Sequence, residues 1–433
     1  MPSIAVVVLD TLRYDAFQRA FGWLPGRHFT RAYSTSHWTV PVHASLFTGR
    51  YASEVGVHGG APDLDCDDET LAEALASGGY RTRCFTANPQ MVQYDGWERG
   101  FDEFAGYYSL TSYREDSFDW GRAFQSIDAT GYRRHLDAIR QCVTSDCATL
   151  RSLREGAELF GRSDADGGVT SVLERVRATD VGDDEFCFVN CMDAHTPYYP
   201  PPGEDEPVIV VAADAFSEEP LDLDRVRAAY RASVDHLEAV YRELYAELTE
   251  RFDYVVTCSD HGELLGEHGL VNHSFGLYPE LVHVPLVVDG PDVEQGVDDA
   301  VVSLLDVHRT VADLAGIDVD SRGQQLLGDR EPRDVLFEYH GLLPFHEAQF
   351  DRTGVPAEVY ERRREPIAGF VAPDGTYVHE THTDGLRVGG EGVDDPAARL
   401  DRLTASLDRR ETAASERDVS SDVRDRLEDL GYA

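Results

Sequence analysis

The chain has 433 residues, and its 80 Asp and Glu against 39 basic residues, every one of them Arg, give a formal net charge of -41. That balance excludes nucleic acid as a partner and disfavours an anionic membrane surface, because both need positive charge to meet phosphates. Disorder is excluded too, since 42% apolar and 10% aromatic residues suffice for a large core.

Such a charge makes the compact state repel itself in dilute buffer, whereas at about molar salt the screening length falls to about 3 Å. The composition therefore predicts a halophilic protein of a high-salt cytosol. The apolar run Ile4 to Leu9 stops at Asp10. It is too short for a leader or a membrane span of about 20 residues, so a cytoplasmic, soluble chain is expected. The seven Cys are odd in number and have no zinc-ribbon spacing. Cys187 and Cys191 read as core thiols. Cys142 and Cys147 are close, but nothing in their spacing demands a bridge.

In chain order, IAVVVL (4–9) reads as a fully buried parallel strand, followed by a turn and a helix-like stretch. HWTVPVHASLFTGRY (37–51) reads as a helix start, with Thr39 as N-cap and Pro41 near the first turn. TLAEALASGG (70–79) predicts a helix closed by a Gly pair, and RTRCFTAN (81–88) a strand. Residues 105–175 are rich in Tyr, Arg, Ser and Asp, and read as a helical insertion or lid. EFCFVNCMDAH (185–195), DYVVTCSDH (253–261) and HVPLVVDG (283–290) are strand-like, with a Pro- and acid-rich loop at 200–222 and a long helix over 223–252. After about residue 330 come short strands, DVLFEYH, PIAGFVAP and GTYVHETHTDG, and then a polar helix. Strands alternating with helices predict an α/β fold, a mostly parallel sheet between helices. The division expected is a catalytic domain over 1–330 and a smaller C-terminal α+β subdomain over 331–433.

Ligands of such sheets bind at the carboxyl ends of the strands. Asp10, His195, Asp260 and His261 all lie at such ends. Two carboxylates and an imidazole suit one divalent cation, Zn²⁺ or Mn²⁺. Thr39 begins a helix, where an anion or a developing alkoxide is favoured.

VVVLDTLRYD, TVPVHASLFTGR, TLAEALASGGYRTRCFTAN, RGFDEF, DAHTPYYPP, CSDHGELLGEHG, LYPELVHVPLVV, LLDVHRTVADLAGI and LEDLGY together resemble, in order, the blocks of the sulfatase family in the alkaline phosphatase superfamily. The likeness implies an alkaline-phosphatase-like fold and an ester hydrolase. It fades over about 105–175 and 340–415, where specificity is expected to reside. Three positions depart from the family pattern. Thr39 stands where the formylglycine precursor is Cys or Ser, His43 where the signature has Arg, and Thr11 where sulfatases have a second metal carboxylate. A Thr side chain oxidises to a ketone, not an aldehyde, and a sulfated Thr has no hydrate hydroxyl to expel sulfate.

The Thr-nucleophile phosphoethanolamine transferases and lipoteichoic acid synthases of this superfamily resemble the pattern more closely. The resemblance then implies a metal shell of Asp10, Thr39, Asp260 and His261 for one divalent ion, Mn, Zn, Mg or Ca. It implies His195 and His273 as proton donors, and His43 directed at the substrate. The expected reaction is cleavage of a phosphate mono- or diester through Thr39, by hydrolysis or phosphotransfer, on a small-molecule or head-group ester. The alternatives are a sulfuric ester hydrolase without formylglycine and an inactive binding protein of the same fold. Asn88 and His37 lie in family-like blocks without an assigned role. His268 reads as a loop residue, and Arg13 and Arg50 as structural ion-pair partners. The oligomeric state is left open.

Overall fold

The structure, a computed structural model, describes residues 1–106, 139–144, 168–204, 206–217 and 221–412. The body of the predicted insertion, Cys147 and the closing LEDLGY lie outside these residues. The two ends of the 105–175 segment are not part of an insertion. Ala105 and Gly106 end an edge strand, and residues from Val169 begin a core-facing helix, Val169–Ala178.

The strands of the main sheet are β1 (Ile4–Leu9), β2 (Arg27–Tyr33), β3 (Arg81–Thr86), β4 (Glu103–Gly106), β5 (Glu185–Cys191) and β6 (Tyr254–Cys258). After a small hairpin of β7 (Leu264–Leu265) and β8 (Val271–Asn272) come β9 (His283–Val284), β10 (Leu286–Asp289) and β11 (Gly296–Ser303). The order across the sheet is β11-β2-β10-β6-β1-β5-β3-β4, with β9 paired to β2. β1 lies between β5 and β6, parallel to both. Only β9 and β10 run against their neighbours, so the mostly parallel sheet is as expected.

The continuous apolar run of β1 follows from its place in the sheet. Ile4, Val6 and Val8 enter the core on one face, and Ala5, Val7 and Leu9 the core on the other. A strand covered on both faces has no use for a polar alternation. The second core is closed by the long helix Leu223–Thr249, which lays Val234, Leu237, Tyr241, Leu244 and Leu248 against the sheet.

Three strands of the main sheet were not legible, one of them β4, whose end falls in the stretch read as a helical insertion. β2 (RHFTRAY) is interrupted by Arg, and β11 (GVDDAVVS) by an Asp pair and a bulge, because both sit towards the sheet's exposed edge. The strand expected over 283–290 is two strands, broken at Pro285, which has no N–H to give to a ladder.

The C-terminal region forms a separate antiparallel sheet. β12 (Val335–Tyr339), β13 (Ile367–Val371), β14 (Tyr377–Thr381) and β15 (Gly385–Gly389) pair in sequence order, and a helix, Pro396–Ala405, follows.

Candidate metal and ester-binding site

Four adjacent strands, β6, β1, β5 and β3, end at one place. β1 ends at Asp10, β6 leads into Asp260 and His261, the loop after β5 carries His195, and β3 leads to Asn88. The helix Thr39–Thr48 starts over these ends. Its N-cap is Trp38, which makes no side-chain cap, and Thr39 is the first helical residue. The expected Thr39 cap is thus corrected. The hydroxyl is turned instead to the strand ends, with Thr39 Oγ1 3.5 Å from Asp10 Oδ2, 3.4 Å from His261 Nε2 and 3.3 Å from Asn88 Nδ2.

Asp10, Asp260 and His261 offer ligand atoms that all lie within 4.8 Å of one another. His261 Nδ1 donates to the Gly262 carbonyl at 2.9 Å, so its Nε2 presents a lone pair. That nitrogen is 3.8 Å from Asp10 Oδ1 and 3.5 Å from Asp260 Oδ2. Both carboxylate oxygens are buried and have no hydrogen-bond partner. Buried oxygens of this kind are costly unless something cationic meets them. The donor set of two carboxylates and one imidazole nitrogen therefore fits a divalent ion.

The electrostatics agree. Burial, then the charge of Asp260, pushes the Asp10 carboxyl up to about 7. Burial likewise raises Asp260 to about 7, opposed by the backbone N–H groups of His261 and Thr11. Thr11 contributes backbone alone. Its φ of 56° is left-handed, uncommon for a β-branched residue, and this turns its N–H to within 3.4 Å of Asp260 Oδ1.

His195 and His273 stand beside this cluster. Their ring centroids are 5.0 Å apart, and His273 is 4.6 Å from His261. His195 Nδ1 meets the Thr196 carbonyl, and burial holds its pKa down to about 3. His273 is also pushed down, by burial and then by His261. His43 is fully buried, with Nδ1 3.0 Å from the Thr39 carbonyl and 3.7 Å from Asp260 Oδ2. Its Nε2 faces Asn190 Nδ2 at 3.3 Å, and burial lowers its pKa to about 3.

The seven residues expected at the site, Asp10, Thr39, His43, His195, Asp260, His261 and His273, thus come together. Five more share the site: Asn88 and His37, noted above without a role, and Asn190, Glu263 and Tyr198. Asn88 donates to Asp10 Oδ2 at 2.8 Å while its Oδ1 caps the helix Pro89–Gln93. Asn190 donates to the same oxygen at 3.3 Å. Glu263, raised to about 7 by burial, takes the Tyr198 hydroxyl at 2.9 Å and lies 3.2 Å from His273 Nδ1. Asn88 ends the TAN block after a strand, and Glu263 is two residues past His261; those positions were the available signals. The side-chain directions of Asn190 and Tyr198 had none. His37 binds the His273 carbonyl through Nδ1 at 2.7 Å. Residues read as peripheral are so: His268 stacks on Tyr278 in an exposed loop, Arg13 pairs with Asp15 and Glu267, and Arg50 with Asp68 and Asp320.

A parallel sheet of this order with a carboxylate and imidazole cluster at its strand ends defines an alkaline-phosphatase-like protein. Residues 23–317 match the Sulfatase family model, and the chain belongs to that family. It is 24% identical over 357 residues to the uncharacterized sulfatase YidJ of Escherichia coli, spanning 75% of this chain and 68% of that protein. It is 37% identical over 100 residues to the choline-sulfatase of Rhizobium meliloti, 22% of this chain and 19% of that one. The phosphonate monoester hydrolase from Silicibacter pomeroyi shares the fold with a TM-score of 0.59, at 19% identity over 94% of both chains. That of Agrobacterium radiobacter also has a TM-score of 0.59, at 18% identity over 99% of this chain and 95% of its own. Sulfatase-family enzymes usually use a divalent metal ion. Among the described residues no helix is long and apolar enough to cross a membrane.

Proposed function

We propose that this chain is a metal-dependent phosphoric or phosphonic ester hydrolase, or a phosphotransferase, with Thr39 as nucleophile. The observation that carries the reading is the position of Thr39 Oγ1, within 3.5 Å of both Asp10 and His261. Asp10, Asp260 and His261 would hold one divalent ion, which supplies Lewis-acid neutralisation of the ester and of the attacking oxygen. The Thr39 hydroxyl proton faces Asp10 Oδ2, 3.5 Å away, and passes to it as the oxygen attacks. Thr39 Oγ forms a bond to phosphorus as the bond to the leaving oxygen breaks. That oxygen takes its proton from His273 Nε2 as Nδ1 takes one from the Glu263 carboxyl 3.2 Å away, with His195 beside it. His273 and Glu263 then receive a proton from the water or acceptor alcohol that attacks phospho-Thr39, and Asp10 Oδ2 returns the first proton to Thr39 Oγ as its bond to phosphorus breaks. Asn88 donates to Thr39 Oγ1 and orients it.

The experiment is rapid acid quench with an isotopically labelled ester, followed by peptide mass analysis. Label on the Thr39 peptide and an inactive, folded Thr39→Ala variant are the expected results. A fully active Thr39→Ala variant overturns the reading and leaves attack by water.

A second reading, sulfuric ester hydrolysis, draws on the family match and on the sulfatases among the relatives. The relative rates on matched sulfate, phosphonate and phosphate esters, measured in multimolar KCl, decide between the two. The high-salt cytosol and the 1–330 and 331–433 division belong to this proposal as well.

A further inference from the structure

We infer that His43 and Asn190 form a positioning chain that holds Asp10 in its metal-ready orientation. The inference rests on the reading of Asp10, Asp260 and His261 as metal ligands. It concerns the position where the resembled signature carries Arg.

The hydrogen bonds assign the protons. His43 Nδ1 lies 3.0 Å from the carbonyl of Thr39, one helical turn back, and a carbonyl only accepts. Nδ1 therefore carries the proton, and Nε2 is an acceptor. Nε2 is 3.3 Å from Asn190 Nδ2, and that nitrogen is also 3.3 Å from Asp10 Oδ2. One amide hydrogen goes to each. The opposite amide orientation would set Asn190 Oδ1 against the Asp10 carboxylate. Asn88 Nδ2 adds a second donor to the same oxygen at 2.8 Å.

The consequence for Asp10 is asymmetric. Oδ2 is occupied by amide donors, and Oδ1 has no hydrogen-bond partner and faces His261 Nε2. The amides fix the carboxylate's rotation so that one oxygen is left for an ion. The His43 ring is itself fixed, edge-on to Phe188 at 5.7 Å and 74° and to Phe47 at 6.4 Å and 72°. It is 0% exposed. A guanidinium would bring charge to this spot; a neutral imidazole brings an acceptor for Asn190. His43 thus acts through Asn190 rather than on the ester.

The test is the Mn²⁺ dissociation constant of the metal-free full-length chain in molar KCl, measured by titration calorimetry and by Mn²⁺ electron paramagnetic resonance. The variants are His43→Phe, Asn190→Leu, the double variant and His43→Gln. Each of the first two is expected to weaken Mn²⁺ binding about 10–100-fold, the range found for groups that orient metal ligands. The double variant is expected to be no weaker than the worse single variant, because the chain is already cut. His43→Gln is expected to bind nearly as the wild type, since its amide can both accept from Asn190 and donate to Thr39. Unchanged affinity in folded His43→Phe, or multiplicative losses in the double variant, would overturn the inference. If His43→Phe does not fold, unchanged affinity in Asn190→Leu overturns it equally. A wild-type chain that binds no Mn²⁺ would instead sink the metal reading itself.

Discussion

The sheet buries carboxylates at both of its ends, and the two groups are treated in opposite ways. Towards the end where β5 begins, Glu185 is met by Arg83, with Nε to Oε2 at 2.7 Å and Nη2 to Oε1 at 3.3 Å. Arg83 also pairs with Glu103, which Arg175 holds from the other side. At the carboxyl end, Asp10 and Asp260 are equally buried, yet among the described residues no guanidinium answers them. Their partners are two amides, backbone N–H groups, a hydroxyl and a neutral imidazole. Both arrangements carry the cost of desolvating charge. Only the first recovers it within the chain. The second leaves two oxygens open, and that difference separates a structural ion pair from a cluster built to receive a cation.

The largest expected effect follows from removing a ligand. Asp260→Ala deletes one charge of the cluster, and loss of the ion and an activity drop of about a thousandfold or more are expected. Metal analysis alongside rates checks this, and full occupancy in the variant would locate the ion elsewhere. At the opposite end the change is to the fold. Glu185→Ala leaves Arg83 buried with half its partners, and a loss of about 3–5 kcal/mol is expected in chemical denaturation. A loss below 1 kcal/mol would mean that the Arg83 pair is not a stabilising contact.

Much of this contrast was legible in the residues. Asp10, Asp260 and His261 each close a strand-like run, and the convergence of parallel strand ends brought them together without any knowledge of the order of the strands. The continuous apolar run of β1 announced its central place. The edge strand β11 and its neighbour β2 were not legible, because a half-exposed strand needs no apolar signature and theirs is broken by Arg and Asp. Nor were Asn190 and Tyr198, whose roles depend on side-chain direction three-dimensionally rather than on spacing. Thr39 was read both as a cap and as a group of the site; the helix start was right, the N-cap is Trp38, and the Thr39 hydroxyl faces the strand ends.

A smaller effect sharpens the comparison through pH. The Asp10 carboxyl is raised by burial from 3.8 to about 7 in the folded chain without an ion. A raised carboxyl stabilises below its unfolded value and loses that contribution as pH climbs through about 7. Asp10→Asn does not titrate. In chelator, its stability advantage over the wild type is therefore expected to widen between pH 5 and pH 7.5, towards about 2–4 kcal/mol. An advantage independent of pH would contradict the burial argument. The smallest and broadest effect is salt. With a net charge of -41, the melting temperature is expected to rise steadily from dilute buffer to molar KCl, while Arg83 and Glu185, being buried, contribute little to the slope. A flat salt profile would count against it.

The most direct test of the contrast is one set of thermal melts at pH 7.5 in molar KCl, wild type against Asp10→Asn, in chelator and then in excess Mn²⁺. The order of the two melting temperatures is expected to invert. In chelator the variant melts higher, because one of two unanswered buried carboxylates is gone. In Mn²⁺ the wild type melts higher, because the ion binds the folded chain and the variant has lost a ligand. The same order under both conditions would contradict a cation site at Asp10, Asp260 and His261.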